Sequence, residues 1–100
     1  MIEQYQVILH SQMGPRAGEL TLRYERTLVQ GSLKLVGHLN PVQGVRAGDG
    51  TLHLFHPIQT AVSTFPCETV LELKGSHLDG VTTAESCQMR WEGTRMPPES

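Results

Sequence analysis

Lysine is nearly missing from this chain. Lys34 and Lys74 stand alone, and the arginines are scattered at positions 16, 23, 26, 46, 90 and 95 under a formal net charge of −2. A nucleic-acid binder usually carries a basic stripe or patch, and none can be drawn here. Long apolar runs are missing too, since none approaches the ~20 residues that a membrane-spanning helix needs. The first residues, Met1-Ile2-Glu3-Gln4, lack the basic segment and following apolar segment of a secretory leader. A cytoplasmic protein with no nucleic-acid or membrane partner is therefore expected. Cysteine is limited to Cys67 and Cys87. No window holds an apolar period of 3.6 residues, which argues against any substantial helix.

What is present is a repeated pattern. Gly18-Glu19-Leu20-Thr21-Leu22, Gly31-Ser32-Leu33-Lys34-Leu35 and Gly50-Thr51-Leu52-His53-Leu54 each place a glycine before an alternation of leucine with polar residues. That is a strand with one buried face and one wet face. The alternation recurs in Tyr5–Ser11, with Tyr5, Val7 and Leu9 inward, and in Glu19–Arg26, with Leu20, Leu22 and Tyr24 inward. Gly31–Leu39 reads as a third strand, with Leu33, Leu35 and Leu39 inward and Gly37 as a bend. Thr51–His56 follows, then Cys67–Lys74, His77–Ala84 and Cys87–Arg95, the last with Cys87, Met89 and Trp91 inward. Met13–Gly18 reads as a loop because Gly-Pro and a further glycine punctuate it. Asn40–Gly50 is the longest loop-like stretch, with room for a short strand at Val42–Ala47 turning back at Gly48-Asp49-Gly50. Pro57 should limit pairing beyond His56, Pro66 should break the β-prone run before it, and Gly75-Ser76 and Glu85-Ser86 should turn the chain.

Seven or eight short strands joined by tight turns make an antiparallel meander. Closing it removes the exposed sheet edges. Residues 1–96 are thus expected to form a single small all-β barrel with little or no helix, followed by a tail at 97–100; a β-sandwich is the alternative. In its topology the meander resembles the calycin architecture, that of lipocalins and avidins.

Few residues point to chemistry. His53 and His56 are three apart, so a strand turns them to opposite faces and they cannot share one ion. By parity His10, His38, His53 and His77 face outward, while His56 faces inward with Leu52 and Leu54. Neither a metal site nor a cofactor is expected. Cys67 and Cys87 fall on the two strands flanking that of Ala84. Two strand spacings place them nearly 10 Å apart, beyond the ~7 Å limit of a disulfide. They are expected to be buried thiols that act as small core residues. Glu68 and Glu72 share a wet face and lack the unlike environments of an acid–base pair. Gly48-Asp49-Gly50 and Asp79-Gly80 are turn chemistry, because no helix follows to receive a phosphate. No catalytic residue emerges.

Two faces remain as working surfaces. An eight-stranded barrel either fills with its own side chains or holds one small ligand. The leading expectation is a non-enzymatic binding protein for a small, largely apolar ligand, with Tyr24, His56 and Trp91 supplying the polar contacts. The outward face carries Ile8, Val36, Phe55, Val70 and Val81. If contiguous, these form an apolar patch of the kind that marks interfaces. The alternative is therefore a structural or regulatory protein working as a homodimer through that face. An enzyme would need a perturbed His or Cys beside a second titratable group in a cleft.

Overall fold

Alternating leucines give each segment one apolar face, and the chain buries all of these faces by rolling them around a common axis. The computed structural model describes residues 2–11, 14–35, 37–59, 64–84 and 87–96. Eight strands run in order: β1 (Ile2–Ser11), β2 (Gly14–Glu25), β3 (Leu28–Leu35), β4 (His38–Arg46), β5 (Leu52–Gln59), β6 (Thr64–Lys74), β7 (His77–Ala84) and β8 (Cys87–Arg95). Each pairs antiparallel with the next, and β8 pairs with β1, so the sheet closes into a barrel and is not a sandwich. No helix occurs among the described residues.

The register fixes the size of the interior. One row of cross-strand neighbours runs through Ile2, Arg23, Gln30, Gln43, Phe55, Glu68, Thr83 and Gln88. Gln88 lies two residues before Arg90, which pairs with His10 near the far end of β1, so the row that starts at Ile2 returns displaced by about the length of that strand. That stagger tilts the strands by roughly 40° and leaves an interior that side chains can fill.

The inner leucines fill it. Leu20, Leu22, Leu33, Leu52, Leu71 and Leu78 are at most 1% exposed, as are Tyr5, Val7 and Trp91. Tyr24, Leu73 and Met89 pack against them, partly buried. Each large apolar side chain so buried contributes about 1.5–3 kcal/mol. Two inward glycines let neighbouring strands approach closely. A Cβ at Gly31 would strike the Thr21 carbonyl oxygen, and one at Gly44 would strike that of His53.

Several segments depart from the sequence reading. Gly14–Gly18 is strand, not loop, because β1 and β2 pair down to Ser11 opposite Gly14. Gly37 closes the β3–β4 turn with φ 77° instead of bending a strand. The chain therefore reverses before Leu39, and parity restarts. Leu39 is 68% exposed and Asn40 is buried in its stead. The Asn40 carboxamide donates to the carbonyls of Leu33 (3.2 Å) and His38 (3.4 Å), which makes that burial tolerable. The short strand expected at Val42–Ala47 is the second half of β4, which starts earlier, at His38, and the turn at its end is the anticipated one. There the Gly50 amide donates to the Ala47 carbonyl (3.0 Å) and the Thr51 amide to the Asp49 carboxylate (2.9 Å). β5 continues past Pro57 to Gln59, paired with β6. The Glu85-Ser86 turn and the 97–100 tail lie outside the described residues.

Candidate functional site

Among the described residues, the shortest strand pairing in the barrel wall is a seam between β4 and β5. β4 starts at His38 and β5 ends at Gln59, yet the two pair only from Gln43 opposite Phe55 to Arg46 opposite Leu52. Proline accounts for the parting. Pro41 on β4 and Pro57 on β5 have no N–H to offer a neighbour. Beyond the parting, β4 stays bound to β3 and β5 to β6, where Pro57 faces Pro66.

A cleft of about 1170 Å³ opens on the outer surface over this seam. Phe55, Pro41, Pro57 and Pro66 supply apolar walls, and Arg23, Gln30, Gln43 and Glu68 supply polar ones. Arg23 leans on Gln30, with Nη2 3.4 Å from Oε1. Val42, His56 and Cys67 also line the cleft, although their side chains belong to the barrel interior and are at most 5% exposed. The cleft thus lies directly over the inner layer of the barrel at these three residues.

His56 anchors a buried polar chain below the cleft. Its Nδ1 lies 3.2 Å from the Pro57 carbonyl oxygen, and its Nε2 lies 2.6 Å from Thr69 Oγ1. Thr69 Oγ1 lies 2.6 Å from Thr82 Oγ1. A carbonyl can only accept, so Nδ1 carries the proton and Nε2 accepts. Thr69 then donates to Nε2, and Thr82 donates to Thr69. Burial pushes the His56 pKa below its ordinary value, which keeps the ring neutral and this direction fixed. The indole of Trp91 meets the His56 ring edge to face, with centroids 5.9 Å apart.

Tyr24 does not join these two. It lies beside the β2–β3 turn, whereas β5 runs from Leu52 toward the other end of the barrel at His56. Its companions are Glu3, Tyr5 and Arg46. Tyr5 donates to Glu3 (3.3 Å), Arg95 pairs with Glu3 (3.0 Å), and the Arg46 guanidinium sits 5.0 Å from the centre of the Tyr24 ring. Burial first, then the Glu3 carboxylate, pushes the Tyr5 hydroxyl up to about 12. The same two causes, in the same order, raise Tyr24 well above the phenol range. This cluster caps one end of the barrel.

Of the outward apolar residues, Phe55, Val70 and Val81 come together around a depression of about 230 Å³ that also includes His53. Val70 pairs directly with Val81, and Val45, missed in the sequence reading, pairs with His53 beside them. Val45 is outward because β4 is a full strand. Ile8 stands apart: its neighbour Glu92 pairs with Arg90 (3.0 Å) and His10 (3.4 Å), and this charged group lies between Ile8 and Val81. Val36 lies outside the described residues. Cys87 pairs with Ala84 on β7, and Cys67 lies on the other side of β7, so no disulfide joins them. Among the described residues no group of three or more His, Cys, Asp or Glu is placed to hold a metal ion, and no helix is long and apolar enough to cross a membrane.

An antiparallel eight-stranded barrel with a cleft at a split in its wall is the class that fold and site define. No family model, no curated protein and no solved structure matches this chain.

Proposed function

We propose that this is a non-enzymatic binding protein that takes a small, largely apolar molecule in the cleft over the β4–β5 seam. The cleft itself carries the reading. It is concave, with Phe55 and three prolines on its walls and polar side chains of both charge signs beside them. Those are the marks of small-molecule sites in general. Calycin barrels hold their ligands inside; here the interior is occupied by leucines, and the binding surface is displaced to the seam. A cytoplasmic setting belongs to this reading, in keeping with the free thiols of Cys67 and Cys87.

A homodimer is the second reading. Phe55, Val70 and Val81 are 47%, 43% and 43% exposed and adjoin one another. A two-fold contact would bury this face against its copy.

A native mass spectrum of the protein as purified separates the two. Extra mass on the 11.1 kDa chain, lost on denaturation, is the expected result. A dimer without extra mass favours the second reading. A bare monomer contradicts both.

A further inference from the structure

Trp91 is 1% exposed, and among the described residues its Nε1–H meets no acceptor. A buried donor left unmade is unfavourable, and native structures rarely keep one without use. Its position gives it a use. The His56 ring meets the indole, at 5.9 Å between centroids, and His56 is also one of the residues that line the seam cleft. His56 therefore connects the cleft with a residue that holds an unanswered hydrogen-bond donor.

We infer that the ligand carries a neutral hydrogen-bond acceptor, of carbonyl or ether type, which reaches past His56 and receives the Trp91 Nε1–H. This rests on the cleft reading and narrows its ligand class. The inner end of the path supports a neutral group and disfavours an ion. Its surroundings are leucines, hydroxyls and a neutral imidazole, and an unpaired charge is poorly tolerated there. The Phe55 and proline walls outside would hold the apolar body of the same molecule. His56 acts as the gate. Its ring is held by two hydrogen bonds, to Thr69 and to the Pro57 carbonyl, and both must loosen for it to swing toward the cleft.

The test uses the intact protein and a pair of probes, cyclohexanone and cyclohexane, which differ by one acceptor. Trp91 is the only tryptophan, so its indole N–H gives a single nitrogen-15 resonance. Cyclohexanone should shift that resonance saturably and slow its exchange with solvent, while cyclohexane leaves it in place. Both probes should move the amide signals of Gln43 and Phe55. Trp91→Phe should weaken cyclohexanone about five-fold, the worth of one neutral hydrogen bond, and leave cyclohexane unchanged. If the Gln43 and Phe55 signals move but the indole ignores cyclohexanone or answers both probes alike, the acceptor inference falls and the cleft stands. If no signal responds to either probe, both fall. The resonance experiment decides the matter even if Trp91→Phe does not fold.

Discussion

Replacing Thr69 by valine removes one hydroxyl from the middle of a directed chain. In the native barrel Thr82 donates to Thr69, Thr69 donates to His56 Nε2, and His56 Nδ1 donates to the Pro57 carbonyl. Thr69→Val strands two buried groups, the Nε2 acceptor above it and the Thr82 hydroxyl below. Each orphan costs about 1–3 kcal/mol, so the variant should lose about 2–4 kcal/mol. Thr82→Val strands neither: Thr69 still donates to His56 and merely receives nothing. Its loss should stay below about 1 kcal/mol. The double variant strands only Nε2. It should therefore be more stable than Thr69→Val alone, so that a second mutation restores part of what the first removed. Urea unfolding followed by the fluorescence of the sole tryptophan, whose ring adjoins His56, measures all four proteins. If Thr82→Val is as damaging as Thr69→Val, or if the two losses simply add, the direction assigned to the chain is wrong.

Three further outcomes follow from the same geometry. Burial depresses the His56 pKa in the folded state, so folding favours the neutral ring; stability should be full above the unfolded pKa near 6.5 and fall as the pH drops below it. Melting curves of the native chain and of His56→Asn should diverge above that pH and converge toward acid if the His56 ring is the group responsible. At the other end of the barrel Tyr5 is raised to about 12, so its contribution is complete below an unfolded pKa near 10 and disappears as the pH climbs toward the folded value. Ultraviolet titration of phenolate should accordingly track unfolding, and two tyrosines ionising smoothly near pH 10 would contradict the cap. Gly44→Ala should lose about 1–3 kcal/mol, because its Cβ meets the His53 carbonyl oxygen and lies 2.8 Å from Leu54 Cα. Gly48→Ala, with nothing within 4 Å, should be close to neutral in the same thermal melt.

Much of this architecture can be read in the sequence, because period-two alternation is a local signal. Leu20, Leu22 and Tyr24, or Cys67, Thr69 and Leu71, declare their inner face without reference to any other strand. Parity fails at hairpins. Leu39 continues the phase of Leu33 and Leu35 on paper, but the left-handed turn at Gly37 reverses the chain and hands the inner position to Asn40. The seam is less legible still. Pro41, Pro57 and Pro66 are visible one by one, but their joint effect depends on which strands lie side by side. Likewise, parity places Tyr24, His56 and Trp91 on the inner wall without giving their heights along the barrel. Only the register separates Tyr24, packed with Glu3 and Arg46, from the other two. Val45 sits within the short strand that Val42–Ala47 allowed, but its place beside Val70 and Val81 depends on the pairing of β4 with β5 and of β5 with β6.

The central claim is that binding belongs to the seam cleft. Its most direct test compares native mass spectra of the wild-type chain and of Phe55→Glu, each purified in the same way. Phe55 is 47% exposed, so the change should leave the barrel folded while placing a charge on the apolar wall of the cleft. The account predicts a small-molecule adduct on the wild-type 11.1 kDa chain and its loss from the folded variant. An adduct carried equally by both proteins, or by neither, would contradict it.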